Sequence, residues 1–301
     1  MEIKPKWHHY LKMSQMLQTI LLSVFIFSCQ ETMTTNDNNK INEQEEYVLN
    51  KEKNNLLERF PAPKNAVAYL ASKNSFEYFL QHLLLKKDGK KVQLFNGNLK
   101  NNQDAHAAII NIEVGDKDLQ QCADAVMRLR SEYFYEQKKY EKIKFHFTNG
   151  FEANFNRWKN GERISVKGNS CSWKQTKNAV SESRTNFNAF LEMLFSYAGT
   201  ASLEKYDLKN KNIKDIKAGD VFIIGGHPGH AVIVLNTAFD KKNNETYFML
   251  AQSYMPAQEI HVLKNPNNEG ISPWYKLSEI DEKIFTPEYT FEKDNLKEFK
   301  E

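Results

Sequence analysis

The stretch GDVFIIGGHPGHAVIVLN, Gly219 to Asn236, decides how the rest of the chain is read. Val221 to Ile224 and Ala231 to Leu235 are apolar, and Gly225, Gly226, Pro228 and Gly229 supply turn chemistry between them. The pattern predicts strand, turn, strand. A strand without polar alternation is one buried on both faces. His230 falls at the mouth of the second strand, where side chains beside a rigid sheet line clefts. It either does chemistry there or merely ties down its own turn.

Working outward, a hairpin through Lys241 to Asn244 returns Tyr247 to Ala251 antiparallel to the His230 strand. Gln252 and Ser253 then lie near that strand's end. Pro256 breaks the ladder, Glu259 to Leu263 makes a further strand, and the tail after Ser272 is packed loop and short helix. Upstream, DLQQCADAVMRLRSEYFY (Asp118 to Tyr135) places Leu119, Cys122, Ala123, Val126 and Tyr133 on one helical face, with Asp118 as N-cap. Cys122 thus sits in a first helical turn, where amide dipoles stabilise a thiolate and lower the thiol pKa. The alternative is a small core residue.

Other elements follow the same rules. Asn74 or Ser75 caps a helix burying Phe76, Phe79, Leu80, Leu83 and Leu84. Asp88-Gly89 and Asn96-Gly97 bracket a strand at Val92 to Phe95, and His106 to Val114 is the next strand. Short strands and turns fill Lys142 to Trp173, with Cys171 in a polar turn. Thr185 or Asn186 opens a helix burying Phe187, Phe190, Leu191, Leu194 and Phe195, which Gly199 stops.

Over the 301 residues, 41% are hydrophobic and 12% aromatic, ample for a core. The net charge is +3; residues 1–28 hold three lysines against one glutamate, so their removal leaves +1. With no basic stripe interleaved with aromatics, the sequence offers no case for nucleic acid. Lys4, Lys6 and Lys12 precede the apolar run Met16 to Ser28, too short to span a bilayer of about 30 Å. Ending at Ser28, just before Cys29, residues 1–28 resemble a bacterial lipoprotein signal peptide, which implies lipidation of Cys29; the alternative is a short uncleaved anchor. Residues 29–55 are then a lipidated cysteine and polar tether reaching on the order of 28 Å, and 56–301 a single domain. The expected location is the bacterial cell envelope, with membrane contact through the N-terminal lipid only.

Only Cys122 and Cys171 remain for the body, where one disulfide between them would remove the thiol. A thiol hydrolase needs a cysteine at a helix start, a histidine to activate it and a polar residue to orient the histidine. Cys122, His230 and Gln252 occur in the order papain-like enzymes use, and GDVFI…GHAVIV resembles the strand pair of the papain-like NlpC/P60 and CHAP cell-wall peptidases. A rival alignment to that family places Phe187 at the nucleophile position. Further stretches, including NQDAHAAIINIEVG, FHFTNGF, YAGTASL and LAQSYMPAQEIHVLKNP, resemble the bacterial lipoprotein family called domain of unknown function 4846, found largely in Bacteroidota. That resemblance implies one domain and an envelope location, and brings no activity.

The expected fold is α+β and papain-like, an antiparallel sheet with the Cys122 helix packed against it. The expected function is hydrolysis of an amide bond, with a peptidoglycan peptide as the substrate class. Cys122 is nucleophile, His230 base and later acid, and Gln252 the residue that orients the imidazole. The chemistry needs no cofactor. The alternative is a non-catalytic module of the same fold that binds wall fragments or a partner protein. His106 is a second candidate for the cleft, His146 and His261 read as sheet-face residues, and Asp104, His106 and His230 make a metal site only if the fold gathers them. Arg128 and Arg130 are either anion binders or salt-bridged.

Overall fold

A computed structural model describes residues 47–176 and 180–300. The signal peptide, Cys29 and most of the tether lie outside these residues. The folded body begins no later than Tyr47, ahead of the expected start at Leu56. The Trp274 indole donates to the Tyr47 hydroxyl (2.9 Å), which donates to the Pro61 carbonyl (2.8 Å).

Seven strands make the main ladder of the sheet. Across it they run His106–Ile109, His261–Leu263, Glu245–Gln252, His230–Asp240, Val221–Ile224, Leu296–Phe299 and Leu208–Asn210. Every pairing is antiparallel. Two short strands, Val67–Ala68 and Tyr275–Lys276, pair onto its flanks. The class is therefore α+β with an antiparallel sheet, as the strand and helix patterns indicate.

The uninterrupted apolar strands are buried on both faces, and alternation along them assigns each residue to a side. Ala231, Ile233, Leu235, Met249 and Ala251 join the core built with the helices. Val232, Val234, Phe248 and Leu250 join a second core with Phe222, Phe291 and Leu296. Each buried Val, Leu, Ile, Phe or Met among them contributes roughly 1.5–3 kcal/mol by leaving water. The helices Phe76–Gln81 and Cys122–Glu136 lie on the His230 strand from the first side. Arg184–Tyr197 buries Phe187, Phe190, Leu191, Leu194 and Phe195, as the spacing requires, and Ser183 caps it at Asn186 N (3.2 Å).

Three elements are shorter than their sequence suggests. The Phe76 helix ends at Gln81, and Leu84 is 56% exposed where helical spacing would bury it. The chain leaves the helix there so that Leu85 can bridge to Ile110 across a ladder, and burial passes from helical spacing to alternation. Leu83 and Leu85 point inward instead. The His106 strand stops at Ile109, and Val92 to Phe95 forms only isolated bridges. No helix among the described residues is long and apolar enough to cross a membrane.

Candidate active site

The turn between Val221–Ile224 and His230–Asp240 puts His230 at the first position of its strand. Gly229 ahead of it has no room for a side chain. A Cβ there would lie 2.4 Å from the Gly226 carbonyl and 2.6 Å from Thr200 Oγ1. Register then does the rest. The Glu245–Gln252 strand pairs antiparallel with the His230 strand and ends beside its start, so Gln252 reaches the imidazole: His230 Nε2 lies 2.7 Å from Gln252 Oε1.

The direction of that hydrogen bond follows from the rest of the network. His261 Nδ1 lies 2.9 Å from the Glu259 carbonyl, which only accepts, so Nδ1 carries the hydrogen and Nε2 offers a lone pair. The Gln252 amide nitrogen faces that lone pair at 3.5 Å and donates to Glu288 Oε2 at 2.7 Å. Its oxygen must therefore accept from His230 Nε2–H. The Glu288 carboxylate is held in turn by the Lys100 ammonium and by Asn102 Nδ2 (3.3 Å). With Nε2 engaged, Nδ1 is the ring nitrogen left to take a proton. Tyr254 and Tyr289 flank the ring, their centroids 4.8 and 4.9 Å away.

Cys122 opens its helix, placed there by a cap at Gln121 and not at Asp118. The Gln121 backbone N–H donates to Asp124 Oδ2 (3.0 Å). Asp118 turns instead to the loop after the Gln252 strand, where its Oδ1 accepts from the Ala257 amide (2.6 Å). From the same loop the Ser253 hydroxyl shares its one hydrogen between the carbonyls of Gln120 and Gln258, each 2.8 Å away. These bonds fasten the end of the Gln252 strand to the start of the Cys122 helix. The Cys122 sulfur is faced by the amides of Cys122, Ala123 and Ala231, the last of these following His230 directly. The fold thus brings the three candidates to one place. The side-chain hydrogen bonds of His230 run to Gln252, and none joins it to the thiol among the described residues.

The electrostatics overturn the expectation of a low-pKa thiol. Burial pushes Cys122 up to about 11, with the neighbouring Asp124 carboxylate adding to the rise; the three amides pull down and lose. Burial likewise pushes His230 down to about 4, against the Gln252 hydrogen bond and the Glu288 charge. Asp124 is itself held well above the usual carboxylate range by its burial, and its Oδ1 has no partner. At neutral pH the resting pair is thiol and neutral imidazole, not thiolate and imidazolium.

The remaining candidates fall elsewhere. Both cysteines of the body are free, and Cys171 lies in the strand Ser170–Gln175, not in a turn, where Asn149 Nδ2 approaches its sulfur (3.2 Å). Phe187 is fully buried against Tyr135 and Phe155, which removes the rival alignment's nucleophile position from any cleft. Arg128 is bonded to Glu132 (2.8 Å), whereas the Arg130 guanidinium stacks over Phe299 (4.0 Å). His146 is not a bare sheet-face residue: its Nδ1 meets Asp207 Oδ1 at 2.6 Å. His106 is three strands away from His230, its Nε2 donating to the Lys90 carbonyl (3.0 Å), so Asp104, His106 and His230 do not gather. No group of three or more potential metal ligands comes together among the described residues.

Sequence reasoning misses the carboxylate behind the site. Glu288 sits in a tail that reads as packed loop, and nothing in its neighbours marks it. Lys100 and Tyr289 are equally silent. His261 carries a faint signal as a histidine in an apolar strand beside the one bearing Gln252.

A family model described as domain of unknown function (4846) matches residues 56–298. The chain belongs to that family. The match spans every residue of the network above, from Lys100 to Glu288. No curated protein and no solved structure matches the chain.

Proposed function

We propose that this member of the family is an envelope lipoprotein whose body is a papain-like thiol hydrolase of an amide bond, with a peptidoglycan peptide as substrate class. The observation that carries the reading is the His230 Nε2–Gln252 Oε1 bond of 2.7 Å at the strand ends, beside a cysteine at a helix start. That bond fixes the tautomer that leaves Nδ1 basic, which is what a general base toward sulfur requires.

The pKa values shape the mechanism. With sulfur near 11 and imidazole near 4, the proton stays on sulfur until a carbonyl is in place. His230 then removes it as the S–C bond forms, and returns it to the leaving nitrogen as the tetrahedral adduct collapses. A water molecule, deprotonated by the same imidazole, releases the acyl group and restores the thiol. The amides at the helix start and of Ala231 supply donors for the developing oxyanion. No cofactor enters these steps.

A second reading is favoured by the same titration behaviour: a site tuned this far from an ion pair suits a binding module without turnover. Incubating the body with soluble peptidoglycan fragments and following new amine termini decides between them. Cleavage lost in Cys122→Ala supports hydrolysis; fragment binding with no cleavage, equal in both proteins, supports the module.

A further inference from the structure

A hollow of about 940 Å³ opens at the edge of the sheet beside the His106 strand, clear of Cys122 and His230. Six cationic side chains line it against three carboxylates, Asp88, Asp104 and Glu269. Five of the cations, Lys51, Lys87, Lys90, Lys91 and Lys264, make no ion pair among the described residues, and all five are exposed. The sixth, Arg59, gives its guanidinium to the carbonyls of Lys53 and Lys86 and lies close enough to Asp88 to feel its charge.

The lysines stand on fixed backbone. Lys87, Lys90 and Lys91 come from one turn, Lys86 to Lys91, which bends at Gly89 with φ +75°. His106 Nε2 holds the Lys90 carbonyl (3.0 Å). Gln103 accepts from Val92 N and donates to Val92 O, both at 3.0 Å. Lys86 N donates to the Ile109 carbonyl (2.8 Å), tying the other side of the turn to the sheet. Like charges on one turn repel, and the five lysines outnumber the three carboxylates, with none of which they form an ion pair among the described residues.

We propose that this hollow binds a phosphate-bearing anion of nucleotide or glycosyl-phosphate size. Ammonium groups are point charges suited to phosphate, whereas planar carboxylate recognition calls for a guanidinium fork, and the one arginine here is already committed to carbonyls. The volume falls within the range of small-molecule sites, and Ala107, Ile109 and Pro266 give an apolar wall for the uncharged part. The inference is independent of the thiol chemistry.

Isothermal titration with inorganic tripolyphosphate tests it, with a parallel arm on vesicles of anionic against zwitterionic phospholipid. Wild type and a control, Lys241→Ser/Lys242→Ser on a remote hairpin, should bind alike. Lys87→Ser/Lys90→Ser/Lys91→Ser should bind about tenfold or more weakly, with an unchanged melting curve. Lys264→Ser, from a different element, gives the same reading should the triple variant not fold. Binding in the tripolyphosphate arm alone identifies a soluble phosphate, and binding in the vesicle arm a lipid headgroup. Equal binding by the triple variant and the control, or none in either arm by wild type, overturns the proposal.

Discussion

The imidazole side and the thiol side of the candidate site are built on opposite terms. Around His230, side chains from four separate stretches, Lys100, Gln252, His261 and Glu288, form a connected hydrogen-bond network. Around Cys122 backbone amides face the sulfur, and the neighbouring carboxyl, Asp124, keeps one oxygen without a hydrogen-bond partner. Buried polar networks of the first kind cost little once complete and hold one geometry. A thiol is only weakly polar and can be enclosed with little provision, at the cost of its ionisation. The imidazole is oriented by its partners; the thiol stays protonated at neutral pH.

The largest expected effect comes from removing the weaker side. Cys122→Ala should abolish amide turnover, a loss of about a thousandfold or more, while leaving the melting temperature nearly unchanged, because the His230 network does not depend on sulfur. Turnover surviving in that variant would end the comparison.

Breaking the stronger side should do the reverse. Gln252→Ala removes the oxygen that sets the His230 tautomer and strands a donor or acceptor on His230, His261 and Glu288. Each buried group left unpaired costs about 1–3 kcal/mol, so stability should fall by several kcal/mol alongside activity. Chemical denaturation reads the first loss and initial rates the second.

Acid should weaken the same network by a route of its own. His230 is lowered to about 4 and His261 to about 3, both by burial, so the folded state holds them neutral. Their contribution is complete above the ordinary value of 6.5 and drains away as pH falls through 4. The His230 shift alone corresponds to on the order of 3 kcal/mol. Melting curves between pH 7 and pH 4 should show it, and His230→Gln should flatten that part of the profile.

The smallest effect concerns the thiol alone. Iodoacetamide labelling of Cys122 should be slow at pH 7 and climb toward pH 11, the opposite of an activated cysteine. Asp124→Asn removes the second contributor to the raised value and should move the midpoint of that rise down by less than about one unit, because burial remains.

Much of this arrangement is legible in the residues themselves. Apolar strands without alternation declare both faces buried, glycines flanking His227-Pro228 declare the turn, and together they set His230 at a strand mouth. The Ser253–Gln120 and Ala257–Asp118 bonds that bring Gln252 to Cys122 are not legible, because they join a loop to a helix start far apart in the chain. The thiol's pKa escapes the sequence for a related reason. Helix position follows from local spacing, whereas burial is decided by whatever packs over the position, here the His230 strand and its loops. Leu84 shows the same limit on a smaller scale, its helical spacing overruled by the bridge of Leu85 to Ile110.

The strand Leu296–Phe299 lies inside the sheet, between Val221–Ile224 and Leu208–Asn210. Neither neighbour can complete its pairing until the ribosome has delivered those late residues. Until that strand is made, a nascent chain carries an open sheet edge at Val221–Ile224, the state in which chaperones bind and aggregation begins. Removing the segment after Asp294 should leave that edge permanently bare, and the protein should accumulate as inclusion bodies.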